Sequence, residues 1–259
     1  MKYALGIDVG GTRTKAGIVE LDTGIICNKK LYATEKKEKY FLNQIKEWGK
    51  ECNKFVRKED VIGVGIAVSG YVHKDTGIID ESCGNFLPFF PSYPIGEKIS
   101  RLLNLPCQSE NDAVCACYGE ALYGSGKNKE RVLMITLGTG VGVGFVSEQQ
   151  ITKNSALIHR AGHIKVASDN IQSNCCYCGI SGCMESLCSG VSLSRMAFQK
   201  YGKKMGADEL LRKAEKGERK AENVLNQYLE YLTCGLNQYV YLFAPDVIVI
   251  GQYEVTPHL

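Results

Sequence analysis

Residues 3–20 read YALGIDVGGTRTKAGIVE, and this stretch sets the interpretation of the rest of the chain. An apolar run leads into a turn rich in glycine and hydroxyl groups, residues 8–15, and a second apolar run follows, which predicts a β-hairpin. Adjacent glycines let backbone N–H groups approach an anion, Lys15 adds positive charge, and Asp8 at a strand end suits a hydrated Mg²⁺. An ordinary glycine turn would look the same, and the GxxxxGK[ST] pattern of a P-loop is absent. The segment alone leaves both interpretations open.

The same pattern returns about 130 residues later. An apolar run at residues 132–135 leads into TLGTGVGVG at residues 136–144, so glycines and a threonine again lie between two apolar runs. Two such loops predict two related lobes, each with a phosphate-binding turn. We expect an N-terminal α/β lobe over residues 1–115 and a C-terminal α/β lobe over residues 116–259.

Hydrophobic periodicity predicts most of the remaining elements. An amphipathic helix is expected over residues 41–57, a buried strand over 61–68, and a second hairpin over 71–79. A helix should begin near Asp112 and continue to the glycines at 124 and 126. The C-terminal part is predicted to contain helices and one last strand, over residues 189–201, 207–216, 218–243 and 246–251.

Composition narrows the class of protein. The chain has 259 residues, of which 44% are hydrophobic, and its 31 basic and 28 acidic residues give a formal charge of +3. This balance gives no reason to expect nucleic acid or a membrane as a partner. Twelve cysteines would suit a secreted disulfide scaffold, but no signal peptide precedes the first predicted strand. We therefore expect a cytoplasmic protein with reduced thiols.

Four candidate metal ligands, three cysteines and one histidine, lie close together in the sequence. Residues 176–185 read CYCGISGCME, and His163 lies upstream. A Cys₃His set suits tetrahedral Zn²⁺, and the glycines at 179 and 182 allow a tight loop. The C-x-C-x4-C spacing is not that of common zinc fingers, so clustered free thiols remain the alternative.

Two further polar segments are candidates for substrate binding. Asn85 lies in a loop reading GNFLP and is suited to a polyol, although an asparagine there could also only cap a turn. Asn111 and Asp112 lie where a strand is expected to meet a helix. A carboxylate at this position is also favoured by the helix dipole alone.

Together, the motifs resemble the ROK family of sugar kinases. The resemblance runs from Asp8 to about Gly251 and implies the α/β, actin-like and hexokinase-like ATPase fold, with two lobes that each hold a mixed β-sheet flanked by helices, and a small zinc knuckle in the C-terminal lobe. The resemblance implies that residues 8–15 and 136–144 are the two phosphate loops. It also implies that residues 110–112 are the catalytic segment and that residues 176–185 are the zinc and sugar signature.

The resemblance also implies roles for individual residues. The implied reaction is ATP-dependent phosphorylation of a hydroxyl of a hexose or N-acetylhexosamine, with Asp112 as general base and Mg-ATP held between the two loops. The implied cofactor-binding residues are Asp8, Gly10, Gly11, Thr12, Lys15, Gly138, Thr139 and Gly140. The implied sugar-binding residues are Asn85, Asn111, Asp112, His163 and Glu185. A structural Zn²⁺ would be held by His163, Cys176, Cys178 and Cys183. A homodimer is expected by the same analogy.

The chain departs from the family pattern in two places. Family members have a sugar-binding glutamate three residues before the zinc histidine, where this chain has Arg160. They also continue well past the final strand, whereas this sequence stops at Leu259. The competing hypothesis is therefore a catalytically impaired sugar-binding or regulatory relative.

Overall fold

The computed structural model describes residues 1–80, 87–151, 160–168 and 176–252. The chain divides into two compact units, Met1–Lys127 and Asn128–Leu259. This division lies later than the expected boundary after residue 115, which falls inside a helix of the first unit, Asp112–Tyr123. That helix contacts two strands of its own unit, so a cut at residue 115 would divide a packed element.

The first unit is built on a five-stranded mixed sheet. Its strands are β1 (Tyr3–Val9), β2 (Arg13–Glu20), β3 (Ile26–Ala33), β4 (Val61–Val68) and β5 (Cys107–Asn111), in the order β3-β2-β1-β4-β5. β1 and β2 form the predicted antiparallel hairpin, while β4 is parallel to both β1 and β5. The helices are α1 (Glu38–Cys52), α2 (Ile95–Leu103) and α3 (Asp112–Tyr123), with a 3₁₀ turn at Lys58–Asp60.

The core of the first unit lies between the sheet and its helices. α1 buries four side chains spaced three or four residues apart, so that one face of the helix is apolar: Phe41, Ile45, Trp48 and Cys52. They belong to one cluster with alternate side chains of β1 and β4, among them Ile7 and Ile66. The helix ends earlier than the predicted residue 57, and Phe55 beyond its end is exposed.

The second unit repeats the strand arrangement of the first. Its strands are β6 (Arg131–Leu137), β7 (Val141–Ser147), β8 (Gln150–Ile151) and β9 (Val247–Gln252), in the order β8-β7-β6-β9. β6 and β7 form an antiparallel hairpin and β9 is parallel to β6, as β4 is to β1. The helices are α4 (Met184–Cys188), α5 (Gly190–Tyr201), α6 (Ala207–Glu215) and α7 (Arg219–Phe243), with a 3₁₀ turn at Arg160–His163. Two mixed sheets flanked by helices, which the family resemblance implied, are confirmed.

The long helix α7 anchors the segments that carry the second unit's polar residues. Tyr228 donates to the carbonyl oxygen of Cys188 at 2.6 Å, and Tyr239 donates to that of Ala161 at 2.7 Å. A Cβ at Gly235 would lie 2.7 Å from the sulfur of Met184, so glycine allows α7 to approach α4 closely. Both α4 and the 3₁₀ turn are therefore fixed to one helix.

Within the described segments, no helix combines the length and the apolar character needed to cross a lipid bilayer.

Candidate functional site

The carboxyl ends of three parallel strands bring polar residues to one edge of the first sheet. In the strand register, Asp8 is level with Ala67 of β4, and Ala67 is level with Glu110 of β5. Ser69 follows β4 and Asp112 follows β5 at this edge. Residues far apart in sequence are thus collected where open α/β sheets commonly bind ligands.

Asn111 joins β5 to α3. Its Oδ1 accepts hydrogen bonds from the N–H groups of Ala113 at 3.0 Å and Val114 at 3.2 Å, which caps the helix. Its Nδ2 donates to the carbonyl oxygen of Gly70 at 2.9 Å. An asparagine side chain can form four such bonds, so within the described part of the chain these three leave one N–H of Asn111 for a ligand.

Asp112 is the first residue of α3, and both of its carboxylate oxygens accept hydrogen bonds. Ser69 donates to Oδ2 at 3.0 Å, and the N–H of Ala113 donates to Oδ1 at 2.8 Å. Burial raises the pKa of Asp112, the two hydrogen bonds oppose this, and the negative charge of Asp8 adds to it. The net result is a raised pKa, which makes Asp112 a stronger proton acceptor than an exposed carboxylate.

A network of hydroxyl groups holds the first glycine loop, residues 10–12. Thr34 donates to the carbonyl oxygen of Gly10 at 2.7 Å, and the Oγ1 atoms of Thr14 and Thr34 lie 3.0 Å apart. Because the proton of Thr34 is used on Gly10, Thr14 donates to Thr34. The N–H of Gly10 donates to the carbonyl oxygen of Arg13 at 3.0 Å. These hydrogen bonds therefore fix the backbone of the first glycine loop.

Asp8 and Lys15 face each other across this hairpin. They are directly paired residues of β1 and β2, and Lys15 Nζ lies 3.4 Å from Asp8 Oδ2. The side chain of Asp8 is 34% exposed and that of Lys15 is 59% exposed. A partly exposed carboxylate at a strand end fits Mg²⁺, which prefers oxygen ligands and keeps several waters, and an exposed lysine fits a phosphate.

The second glycine loop, residues 138–140, has the same length as the first and joins β6 to β7, as the first joins β1 to β2. The N–H of Gly138 donates to the carbonyl oxygen of Gly140 at 3.0 Å, and Gly190 donates to the carbonyl oxygen of Gly138 at 2.8 Å. In each loop, the first glycine thus uses its N–H within the turn. Among the predicted phosphate donors, Gly10 and Gly138 are already engaged in this way.

The predicted zinc ligands converge. The ligand atoms of His163, Cys176, Cys178 and Cys183 all lie within 4.8 Å of one another. His163 Nδ1 is 3.5 Å from Cys176 Sγ. Tetrahedral Zn²⁺ with bonds of about 2.3 Å to sulfur and about 2.0 Å to nitrogen separates its ligand atoms by roughly 3.5–3.8 Å. The donor set therefore fits Zn²⁺, and the distance between His163 and Cys176 matches a tetrahedral site.

Backbone pairing and one tyrosine hold the histidine in place. Lys165 and Cys183 form an antiparallel bridge, and Met184 N donates to the carbonyl oxygen of Ile164 at 2.8 Å. The hydroxyl of Tyr177 lies 2.8 Å from His163 Nε2, so this nitrogen has a partner while Nδ1 faces the cysteines. A hydrogen bond on the second nitrogen is what fixes the ring of a metal-bound histidine.

Glu185 links the cysteine cluster to the second loop. Its Oε2 accepts from the N–H of Val141 at 3.2 Å, and its Oε1 lies 3.4 Å from Cys176 Sγ. A Cβ at Gly140 would lie 2.5 Å from Glu185 Oε2, and one at Gly162 would lie 2.1 Å from the carbonyl oxygen of Val141. Glycine is therefore required at 162, where the neighbour is backbone, whereas a side chain at 140 would displace the Glu185 carboxylate.

Two further residues were singled out in the sequence. Arg160 begins the 3₁₀ turn that ends at His163 and is exposed. Asn85 lies outside the described residues. Sequence reasoning missed Ser69 and Tyr177: the former only continued a strand, and the latter lay between two cysteines without an obvious role.

Comparison with known proteins gives consistent matches over nearly the whole chain. A family model described as "ROK family" matches residues 4–254. An N-acetylmannosamine kinase of Vibrio cholerae is 31% identical, covering 95% of this chain and 82% of the relative. A ROK hexokinase from Thermus thermophilus superposes with a TM-score of 0.83 at 26% identity, covering 97% of this chain and 82% of that structure. A ROK family glucokinase from Streptomyces griseus, solved with glucose and AMPPNP, has a TM-score of 0.77 at 26% identity, covering 96% of this chain and 83% of that structure.

Proposed function

This chain belongs to the ROK family, and we propose that it is an ATP-dependent kinase that phosphorylates a hydroxyl of a hexose or N-acetylhexosamine. The relatives named as sugar kinases support the reaction class. The observation that carries the proposal is Asp112, held at the carboxyl edge of the first sheet with both oxygens hydrogen-bonded and its pKa raised.

Asp112 acts as the general base in this proposal. One of its oxygens accepts the proton of the attacking sugar hydroxyl as the γ-phosphoryl group is transferred. Each oxygen has a second lone pair in addition to the one used by Ser69 or Ala113. Burial strengthens Asp112 as a proton acceptor, and its hydrogen bonds fix the direction of the carboxylate.

The glycine loops bind the phosphates of ATP. The proposed N–H donors are Gly11 and Thr12 in the first loop, and Thr139 and Gly140 in the second. Gly10 and Gly138 shape the loops, because their N–H groups are used within the turns. Lys15 supplies positive charge, and Asp8 holds Mg²⁺, whose charge helps neutralise the transferring phosphoryl group.

The proposed sugar ligands are Glu185, Asn85 and the remaining N–H of Asn111, together with His163, whose Nε2 would exchange the Tyr177 hydroxyl for a sugar hydroxyl. A carboxylate and an imidazole suit hydroxyl groups, which can both donate and accept hydrogen bonds. His163, Cys176, Cys178 and Cys183 would hold a structural Zn²⁺. That ion would stiffen the segment on which Glu185 lies, because Cys183 is only two residues before Glu185.

A coupled assay of ADP release over a sugar panel tests the function. The panel should include glucose, fructose, N-acetylglucosamine and N-acetylmannosamine, and we expect turnover that depends on one of them. Asp112→Asn should lower kcat by at least about 100-fold while sugar binding persists, because a positioned base contributes that much. Asp22→Asn, an exposed acid of the same unit, is the matched control. Absence of sugar-dependent turnover, or full activity of Asp112→Asn, would refute the proposal.

The second candidate is a sugar-binding or regulatory protein with impaired catalysis. Its basis is Arg160, a cation that cannot accept a hydroxyl proton, at the start of the turn that carries His163. Isothermal calorimetry separates the two candidates: sugar binding without ATP binding favours the second. The homodimer and the cytoplasmic location stay predictions from the sequence.

A further inference from the structure

We propose that Ser69 is a positioning residue for Asp112, holding its carboxylate in the orientation and the ionised state that proton abstraction requires. This inference deepens the proposed function and rests on it.

Two side-chain hydrogen bonds fasten the loop after β4 to the start of α3. Ser69 Oγ donates to Asp112 Oδ2 at 3.0 Å, and Asn111 Nδ2 donates to the carbonyl oxygen of Gly70 at 2.9 Å. Two consecutive residues of the loop thus bond two consecutive residues at the junction. Gly70 has a φ of 107°, a conformation that side chains disfavour, so the loop turns sharply directly after Ser69.

The two bonds to Asp112 differ in what they can control. The donor to Asp112 Oδ1 is the backbone N–H of Ala113 in α3, and the same N–H also donates to the Oδ1 of Asn111 that caps the helix. Ser69 supplies the side-chain hydrogen bond to Oδ2, and a hydroxyl that donates to a carboxylate favours its charged form. It also limits rotation of the carboxylate, and misorientation of a catalytic group is costly.

The other charges around Asp112 act in the opposite direction. Asp8 at the end of β1 is negative and disfavours a second negative charge nearby. Cys115, on the next turn of α3, faces Asp8, Glu110 and Asp112, and burial raises its pKa to about 12. Cys115 is therefore neutral at ordinary pH and adds no charge. Burial and Asp8 favour the protonated acid, and Ser69 opposes them.

Loss of the Ser69 hydroxyl should raise the pKa of Asp112. A general base works only when ionised, so activity is present above that pKa and is lost as the pH falls through it. A higher pKa in the variant therefore moves the acidic limb of the activity profile to higher pH.

Carboxyl NMR titration of ¹³C-aspartate-labelled protein measures this without requiring turnover. Asp112→Asn identifies the Asp112 resonance by its loss. In Ser69→Ala we expect its pKa to rise by roughly one pH unit, since a hydrogen bond to a charged group is of this strength. Ser69→Thr should restore the wild-type value. Ser109→Ala, which removes a serine hydroxyl bonded to the carbonyl oxygen of Gly77 in the same unit, should leave it unchanged.

The pH dependence of kcat/KM for the best sugar is the second measurement. The acidic limb of Ser69→Ala should move by the same amount as the NMR titration. An unchanged Asp112 pKa would overturn the proposal, as would an activity loss of equal size at every pH. If the wild-type protein phosphorylates no sugar, the proposed function fails, and the NMR titration still decides whether Ser69 controls Asp112.

Discussion

The sulfur of Cys176 lies 3.4 Å from Oε1 of Glu185, while the other oxygen of that carboxylate accepts from the N–H of Val141. Glu185 is thereby joined both to the cysteine cluster and to the first residue after the second loop. A change in the cysteine cluster or in the second loop should therefore displace this carboxylate. The first two predictions test these two changes.

Cys178→Ser should lower the zinc content of the protein and weaken sugar binding. A structural Zn²⁺ needs its full set of four ligands, and loss of one frees the segment that carries Glu185. Elemental analysis of protein purified without chelator measures the zinc, and calorimetry measures the sugar affinity. Cys234→Ser, an exposed cysteine of the same unit, is the control. Zinc-free wild-type protein, or unchanged sugar affinity in Cys178→Ser, would contradict the prediction.

Gly140→Ala should weaken sugar binding by about tenfold, comparable to the loss of one hydrogen bond to a charged group. The added methyl would lie 2.5 Å from Glu185 Oε2 and displace the carboxylate from Val141. Gly119→Ala is the control, because nothing lies within 4 Å of the added methyl in that exposed part of α3. It should instead raise the free energy of unfolding by about 0.5–1 kcal/mol. Equal sugar affinities in both variants would count against the role of Glu185.

Tyr239→Phe should lower the free energy of unfolding by about 1 kcal/mol, measured by urea denaturation. The side chain is fully buried, and loss of its hydroxyl removes the shorter of two hydrogen bonds to the carbonyl oxygen of Ala161, which keeps the N–H of Ile164 at 3.2 Å. Tyr241→Phe on the same helix, where the side chain is 81% exposed, should change stability by less than about 0.5 kcal/mol. The prediction is wrong if the two variants unfold at the same urea concentration.

Thr34→Val should destabilise the first unit by about 1–3 kcal/mol and raise the KM for ATP. The change keeps the side-chain shape but removes the donor to Gly10 and leaves the buried hydroxyl of Thr14 without its acceptor. Thr23→Val, which removes an exposed hydroxyl bonded to Glu20, is the control. Thermal unfolding and ATP-dependent kinetics check the two effects separately, and an unaltered KM for ATP would argue against the first loop as a phosphate site.

Much of the fold was predictable because apolar runs bounded by glycines define buried strands. β1, β2, β4, β6, β7 and β9 were expected on that basis, and so were α1, α3 and the three helices after residue 188. β3 was missed since its side chains, such as Lys29 and Leu31, are largely exposed and lack an apolar run. α2 was missed because its nine residues give only a short apolar pattern, although Pro94 before it and Asn104 after it are residues that often flank helices.

The candidate site was predictable where its residues lie close together in sequence. Cys176, Cys178 and Cys183 share one loop, so their convergence follows from local geometry. The bond between Ser69 and Asp112 spans 43 residues, and that between Tyr239 and Ala161 spans 78. Such contacts depend on the strand register and on helix packing, which no local pattern specifies.

The anchoring of the candidate zinc ligands by α7 also has a consequence for biosynthesis. His163 and the three cysteines leave the ribosome before residues 219–243, since a chain emerges from its N-terminus. Until that helix emerges, the carbonyl oxygens of Ala161 and Cys188 lack the tyrosine hydroxyls that bind them in the finished fold. In the nascent second unit, the candidate metal ligands are therefore synthesised before the helix that supports them.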